Sequence, residues 1–307
     1  MGVGTRAAAD TMARVRRSRR QSYSPVPPRE MLPARTIIVP GRGEFFLRDS
    51  GEADPPRPTV LLLHGWMVTA DLNWHGAYDA LVDAGYRVLA VDHRGHGRGL
   101  RAMAPFRLED CAADAAAILR ELGAAPAIVV GYSMGGTIAQ LMARDHPDVM
   151  SGLVLSGTCQ HFQDPETRRI WKWMGVVGLT LGLAPRQFYR SAFRSAKIRL
   201  NERTAWWLSE LMRHEARDVA EAGRELGRFD SRPWLASLTR IPTAMVLTRR
   251  DHMVAPAKQR ELAQAVGATV FEVDIDHLDV TDRADEYDLA LVSALAAVTA
   301  AQSVPVA

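Results

Sequence analysis

The chain has 307 residues, and 47% of them are hydrophobic, which is enough to fill a large globular core. Its net charge of +3 is unevenly placed: residues 1–35 hold eight arginines against Asp10 and Glu30, a net of +6, so the remainder carries −3. Since no aromatic or groove-reading module accompanies these arginines, the composition argues against nucleic-acid binding, and no apolar run reaches the roughly 18 residues of a membrane span.

Residues 1–33 are predicted to form a disordered tail, because they are rich in arginine and proline. No apolar segment of the kind that a secretory signal needs follows the paired arginines, and the two cysteines, Cys111 and Cys159, are expected to be reduced thiols. We therefore expect a cytoplasmic protein, with membrane association through the tail or an apolar insertion as an alternative. A transit peptide and a translation start at Met31 also stay open.

Short apolar runs rich in β-branched residues predict eight strands, the first two antiparallel. They are expected at Ala34–Val39, Glu44–Arg48, Thr59–Leu63, Arg87–Asp92, Ala127–Gly131, Gly152–Ser156, Thr243–Leu247 and Thr269–Val273. Helical patterns separate them, including Leu108–Glu121, Pro256–Val266 and Asp285–Ala300. Alternation of strand and helix with right-handed crossovers predicts an α/β fold, a doubly wound and mostly parallel eight-stranded sheet covered on both faces.

Ser133 lies in the pentapeptide Gly131-Tyr132-Ser133-Met134-Gly135, between a predicted strand and a predicted helix. A serine at this joint occupies a sharp turn that lifts its Oγ above the sheet edge, where side chains on the flanking glycines would collide with backbone. The helix that follows directs its free N–H groups and positive dipole end at any oxyanion formed there. The pattern predicts that Ser133 is a nucleophile.

A serine hydroxyl needs a base to accept its proton and a third group to orient that base. Asp251 follows the predicted strand Thr243–Leu247, and His277 follows the predicted strand Thr269–Val273. Catalytic groups of open α/β sheets gather at the carboxyl ends of strands, so these loops can converge with the serine turn. We assign Ser133 as nucleophile, His277 as base and Asp251 as the group that orients the base.

Together these residues resemble the α/β-hydrolase superfamily, within its serine hydrolase, esterase- and lipase-like branch, over roughly residues 35–300. The His64-Gly65-Trp66 segment after an apolar strand is similar to the oxyanion loop of the family, and Asp92–Gly97 to its structural D-x-R-G-x-G turn. The resemblance implies that the backbone N–H groups of Trp66 and Met134 hold the oxyanion. His64 is expected to brace this loop through a backbone hydrogen bond. It implies no cofactor, and no metal-binding spacing occurs in the sequence.

The sequence departs from the family pattern at two positions. Arg249 stands where the family often has glycine, and Asp276 stands where glycine usually precedes the base. The carboxylate of Asp276 could raise the pKa of His277 or compete with Asp251 for its ring. Asp251 is expected to be the partner, because a residue adjacent in sequence rarely reaches its neighbour's ring edge well.

The stretch from about Cys159 to Trp234 is too long for a simple crossover, has a helical pattern and holds five of the seven tryptophans, the last of them Trp234 itself. It resembles the cap that the superfamily inserts after the sixth strand, which predicts a helical cap at 159–234 between core segments 34–158 and 235–302. Trp171 and Trp173 are candidates for the substrate-binding wall. A lipid-facing patch and simple packing of a cap helix on the core remain alternatives for the same segment.

The predicted reaction is hydrolysis of a carboxylic ester, small or lipid-like, through an acyl-enzyme and without cofactor or metal. A cofactor-free perhydrolase or haloperoxidase and a carbon–carbon bond hydrolase would use the same three side chains, and a non-catalytic ligand-binding protein would share the fold. Dehalogenases and epoxide hydrolases are disfavoured, since their elbow carries aspartate at the position of Ser133. The expected partner is a small-molecule or lipid-like ester, and peripheral membrane contact and oligomeric state stay open.

Overall fold

The computed structural model describes residues 24–281 and 284–302, so most of the predicted tail lies outside the described residues. Eight strands form one sheet: β1 Ala34–Val39, β2 Gly43–Asp49, β3 Thr59–Leu63, β4 Arg87–Val91, β5 Ala127–Tyr132, β6 Met150–Ser156, β7 Thr243–Thr248 and β8 Thr269–Val273. Their order in space is β1-β2-β4-β3-β5-β6-β7-β8. β1 and β2 pair antiparallel, β2 pairs antiparallel with β4, and the other pairs are parallel, which confirms the predicted sheet.

Eleven α-helices accompany the strands in the described part of the chain. They are α1 Ala70–Trp74, α2 Ala77–Asp83, α3 Leu108–Glu121, α4 Met134–Asp145, α5 Pro165–Lys172, α6 Met174–Leu183, α7 Pro185–Ser195, α8 Glu202–Leu211, α9 Ala216–Arg228, α10 Pro256–Val266 and α11 Ala284–Gln302. Short 3₁₀ turns occupy Pro147–Val149, Leu235–Arg240 and Asp279–Thr281. None of the helices between residues 24 and 302, leaving 282 and 283 aside, combines the length and apolarity needed to cross a bilayer.

The sheet separates two apolar clusters, and the alternation of side chains along a strand assigns each residue to one of them. In β3, Leu61 and Leu63 enter the cluster formed with α3, α4 and α10, whereas Val60 and Leu62 enter the cluster formed with α2 and α11. All four side chains are 0% exposed. Because both faces are covered, the carboxyl ends of the strands remain as the edge from which functional loops can leave.

Five helices, α5 to α9, lie between β6 and β7 in the predicted insertion. They are tied to the turn after β4: Arg98 donates from both terminal nitrogens to the Glu210 carboxylate, at 2.8 and 2.7 Å. Beside this pair, the Gly97 N–H donates to Nδ1 of His214 at 3.0 Å, and the Glu215 N–H donates to the Gly95 carbonyl at 2.8 Å. The carboxylate of Glu210 is buried, so the ion pair fixes the far end of α8 to the core.

Candidate active site

Ser133 lies on a turn between β5 and α4, with φ 53° and ψ −116°. This positive φ is unusual for a residue with a Cβ and marks a strained backbone of the kind that persists where surrounding structure enforces it. A Cβ added at Gly131 would overlap the backbone of Gly135, and a Cβ added at Gly135 would overlap the Leu63 carbonyl. The collisions expected at the two flanking glycines are therefore present.

Asp251 and His277 meet at the carboxyl ends of two neighbouring parallel strands. Asp251 lies three residues beyond β7, and His277 lies four residues beyond β8. The Nδ1–H of His277 donates to Oδ2 of Asp251 at 2.7 Å. Both residues are buried, at 3% and 6% exposure. Nδ1 is thereby engaged by the carboxylate, which leaves Nε2 as the ring nitrogen available to act as a base.

The Asp251 carboxylate has further donors on both oxygens. Thr248 Oγ1 and Gln259 Nε2 donate to Oδ2 at 2.8 and 3.2 Å. The Met253 and Val254 N–H groups donate to Oδ1 at 2.9 and 2.7 Å. Each partner is a donor, which suits an acceptor-only carboxylate and fixes its orientation toward the histidine. Sequence reasoning missed Thr248 and Gln259.

Tyr132 links the serine turn to the histidine loop. Its hydroxyl donates to the backbone carbonyl of His277 at 2.5 Å, and the two rings lie 5.0 Å apart between centroids. Since Tyr132 directly precedes Ser133, this bond brings the serine turn and the His277 loop together. The tyrosine was visible within the pentapeptide, but no sequence signal indicated its partner.

Asp276, the alternative partner considered for His277, is engaged elsewhere. Its Oδ1 accepts from Nδ1 of His252 at 2.7 Å and from the backbone N–H of His277 at 2.6 Å. The His277 ring is bound to Asp251 instead. Arg249, the second departure, lies 3.7 Å from the Glu272 carboxylate across β7 and β8, with half of its side chain exposed.

His64 and Asn73 brace the loop after β3. The Nδ1–H of His64 donates to the Gly65 carbonyl at 2.7 Å, and its Nε2 accepts from the His93 N–H at 3.0 Å. This pattern requires the neutral ring, and burial holds the pKa of His64 well below its usual value. Asn73 Oδ1 accepts from the Gly65 N–H at 2.9 Å. The brace expected from His64 is present, whereas Asn73 carried no sequence signal.

The loop after β3 and the start of α4 carry the two N–H groups predicted to hold the oxyanion. A Cβ added at Gly65 would lie 3.4 Å from Cβ of Ser133, so the loop touches the serine turn. Met134 is the first residue of α4, and the N–H groups of a first turn have no partner within their helix. The Trp66 N–H forms no backbone hydrogen bond within residues 24–281 and 284–302. Both predicted oxyanion donors therefore remain available at the turn.

The two candidate tryptophans of the insertion occupy different environments. The ring of Trp171 lies edge-on to that of Trp66, with centroids 5.6 Å apart, and its Nε1–H donates to the Phe162 carbonyl at 3.1 Å. Trp173 is 64% exposed. Trp66 also donates from Nε1 to the Val219 carbonyl of α9 at 2.9 Å. The insertion thus packs on the residue after Gly65 through Trp171 and α9, and Trp173 faces solvent.

No cluster of three or more His, Cys, Asp or Glu side chains with metal-binding geometry occurs within the described ranges. Cys111 and Cys159 are both free thiols, and burial raises the pKa of each, that of Cys159 to about 12. Neither cysteine is positioned as a reactive thiolate.

A mostly parallel eight-stranded sheet with a serine on a strained strand–helix turn, and a histidine–aspartate pair at two later strand ends, defines the class of α/β hydrolases. A family model described as alpha/beta hydrolase fold matches residues 58–282. The chain belongs to this family, as its sequence motifs indicated.

Individual proteins of the family are similar to this chain over different lengths. Monoacylglycerol lipase of Mycolicibacterium smegmatis is 30% identical over 220 residues, which cover 69% of this chain and 77% of that protein. Epoxide hydrolase B of Mycobacterium tuberculosis is 38% identical over 103 residues, 33% of this chain and 29% of that protein, so the match spans less than a third of that relative. A thermophilic esterase from Thermogutta terrifontis has the same fold, with a TM-score of 0.71 and 23% identity over 87% of this chain and 99% of its own.

Proposed function

We propose that the protein is a serine hydrolase that cleaves carboxylic esters through an acyl-enzyme. The observation that carries this proposal is the 2.7 Å contact between Nδ1 of the buried His277 and Oδ2 of the buried Asp251. This pair stands in the loops next to Ser133, to which Tyr132 ties it. The order serine, aspartate, histidine along the chain is that of α/β hydrolases.

The proposed reaction uses the chain's own groups in two halves. In the first, Nε2 of His277 accepts the hydroxyl proton as Oγ of Ser133 attacks the ester carbonyl, and the imidazolium is stabilised by Asp251. The N–H groups of Trp66 and Met134 hold the negative oxygen of the tetrahedral intermediate. The imidazolium then protonates the departing alcohol. In the second half, water attacks the acyl-enzyme with His277 again as base, and Ser133 regains its proton.

For the substrate we propose an ester whose acyl part is apolar. Trp66 supports this choice, because its backbone N–H is a proposed oxyanion donor while its ring packs against Trp171. Gly223 of α9 lies close to the same ring, since a Cβ added there would be 3.1 Å from Cζ2 of Trp66. An acyl chain leaving the reacting carbonyl would thus meet aromatic walls from the loop and the insertion. The similarity to a monoacylglycerol lipase agrees with this substrate class.

The similarity to an epoxide hydrolase is not carried over to this chain. Those enzymes carry a carboxylate at the elbow, where this chain has Ser133. A hydroxyl at this position suits acyl transfer, because the acyl-enzyme that it forms is an ester that water can hydrolyse.

The test is fluorophosphonate labelling of the purified protein, with the modified peptide identified by mass spectrometry and p-nitrophenyl esters of increasing acyl length assayed in parallel. We expect labelling at Ser133 and turnover over one range of acyl lengths. Ser133→Ala should abolish both, whereas Ser237→Ala, at an exposed serine, should change neither. Turnover retained by Ser133→Ala would refute the proposal, and labelling with halogenation dependent on peroxide and acetate in place of ester turnover would favour a perhydrolase.

A further inference from the structure

A strip of large apolar side chains is exposed on the insertion. Ile170, Trp173, Val176, Leu179 and Leu183 are 52%, 64%, 49%, 61% and 77% exposed. Within α6, Val176, Leu179 and Leu183 are spaced i, i+3 and i+7, which places them on one side of the helix. We call these five residues the apolar strip.

The opposite side of α6 is packed against the protein. Met174 and Leu181 are buried at 1% and 3% exposure. A Cβ added at Gly178 would come within 2.9 Å of Ala220 in α9, so the two helices lie in close contact. A helix that is apolar on all sides is normally buried on all sides. The apolar strip lies on the side of α6 that is about half a turn from the side facing α9. It is therefore an apolar surface that packs against nothing in the described part of the chain.

The chain segment that carries the apolar strip is strongly basic. Residues 167–201 contain eight basic residues and no acidic one. The eight are Arg168, Arg169, Lys172, Arg186, Arg190, Arg194, Lys197 and Arg199. All are exposed, and they form no ion pair with the side chains that the structure describes.

This pattern differs from that of the neighbouring helix α9, where two of the three arginines are paired with acidic side chains of the same helix. Arg217 lies 2.9 Å from Asp218, and Arg228 lies 2.8 Å from Glu225. In α7, by contrast, Arg186, Arg190 and Arg194 follow one another at intervals of four residues and form one unneutralised stripe. The excess of positive charge is thus a local property of residues 167–201.

We propose that the apolar strip and the eight basic residues form a surface that docks on an anionic lipid bilayer. Exposed leucine, valine and tryptophan side chains can enter the boundary between head groups and acyl chains, where tryptophan is favoured. The exposed arginines and lysines of the same chain segment can bind lipid phosphates. One partner, an anionic bilayer, can therefore bind both the apolar strip and the basic residues.

Other kinds of partner would match only the apolar strip or only the basic residues. A second copy in a symmetric dimer would set the same basic residues against each other across the contact. A nucleic acid would offer phosphates but would leave the exposed Leu179 and Leu183 in water. An anionic bilayer satisfies both the charge and the apolar area.

The test is co-sedimentation of the full-length protein with vesicles of phosphatidylcholine mixed with phosphatidylglycerol, compared with vesicles of phosphatidylcholine alone. We expect clearly stronger binding to the anionic vesicles, weakening as sodium chloride is added. The triple variant Arg186→Gln, Arg190→Gln, Arg194→Gln and the double variant Leu179→Ser, Leu183→Ser should each lower the partition coefficient about tenfold or more. All five side chains are exposed, so these substitutions leave the packed side of the helices intact.

Matched control variants test whether the loss of binding is specific to this surface or follows from removing any exposed arginine or leucine. Arg57→Gln, Arg107→Gln, Arg240→Gln removes three exposed arginines elsewhere, and Leu289→Ser removes a 73% exposed leucine of α11. Both should bind like the wild type. Equal binding to the two kinds of vesicle would overturn the proposal. So would binding that survives in both insertion variants, which would point to the arginine-rich residues 1–35. The measurement needs no turnover, so its outcome is independent of the proposed esterase activity.

Discussion

Gln259 of α10 holds the loop that carries Asp251. Its side chain is 0% exposed, and its Nε2 lies 3.2 Å from Oδ2 of Asp251. The same amide donates to Thr248 Oγ1 and to the Val254 carbonyl, each at 2.8 Å, and its Oε1 accepts from the Thr248 N–H at 3.2 Å. Gln259, in the helix after β7, therefore binds the residues on both sides of Asp251.

Replacing Gln259 with leucine should destabilise the protein and disturb the acid together. The variant leaves the Thr248 N–H and the Val254 carbonyl without a partner in a buried site, at a cost of about 3 kcal/mol in the free energy of unfolding. We also expect kcat for a p-nitrophenyl ester to fall about tenfold, because the loop of Asp251 loses a fixed point. Urea unfolding and steady-state kinetics measure the two effects. Gln264→Leu, at an exposed position of the same helix, should cause neither.

Asp251 and Asp276 can be told apart by the same isosteric substitution. In Asp251→Asn, the amide can no longer hold His277 in the correct tautomer, so kcat should fall by about 10³- to 10⁴-fold. In Asp276→Asn, the side chain loses its charge but keeps an oxygen that can accept from His252, and the His277–Asp251 pair remains, so kcat should fall less than about tenfold. Similar losses in the two variants would mean that Asp276 supports the base directly.

Much of the fold could be predicted because its signals are local. β3 and β8 and the helices α3 and α10 have the predicted bounds to the residue, since continuous apolar runs and helical spacing identify buried strands and amphipathic helices directly. The helix after Ser133 begins at Met134, directly after the serine. After Met134, its first turn continues with Gly135, Gly136 and Thr137, which carry no apolar helical pattern.

The supporting residues of the site could not be predicted, because their roles arise only from tertiary contacts. Asn73 and Gln259 are ordinary polar residues of helices in the sequence, and only the folded chain brings them to Gly65 and Asp251. The insertion shows the same limit. Trp171 and Trp173 lie in one apolar segment, but the break between α5 and α6 falls at Trp173 and turns it outward.

The close approach of Gly135 to β3 predicts a large effect for a single methyl group. In Gly135→Ala, the new Cβ would overlap the Leu63 carbonyl, which is backbone and cannot move without displacing a central strand. We expect the free energy of unfolding to fall by about 3 kcal/mol or more, with loss of fluorophosphonate labelling. The control is Gly175→Ala in α6, where a Cβ would meet only the flexible end of Arg224 at 3.5 Å. That variant should be as stable as the wild type or more stable by up to about 1 kcal/mol.

Four histidines close to one another beneath the insertion should make stability depend on pH. The ring of His64 lies 4.3 Å from that of His93 and 5.6 Å from that of His96, which in turn lies 5.2 Å from that of His214. Burial lowers the pKa of all four, to about 3 for His93 and about 4 for His214. The unfolded chain therefore binds more protons than the folded chain below the ordinary histidine pKa of about 6.5.

The sign of the effect follows from these shifts. The stability from each neutral ring is fully present above about pH 6.5 and is lost as the pH falls toward the lowered pKa of the folded state. Asp92 acts in the opposite direction, because burial raises its pKa to about 6 and the folded chain then keeps a proton that the unfolded chain releases. Comparing the wild type with a variant of a single histidine cancels the contribution of Asp92, because both proteins contain Asp92.

His214→Asn is the variant that isolates one histidine. The asparagine carbonyl can still accept from the Gly97 N–H, which donates to Nδ1 of His214 at 3.0 Å, but the side chain cannot titrate. Between about pH 7 and about pH 4.5, the wild type should lose about 2 kcal/mol more of its free energy of unfolding than the variant. Urea unfolding across this range measures the difference. Parallel curves would show that the His214 pKa is the same in the folded and unfolded chains, whereas converging or crossing curves would place a neutral histidine between the insertion and the turn after β4.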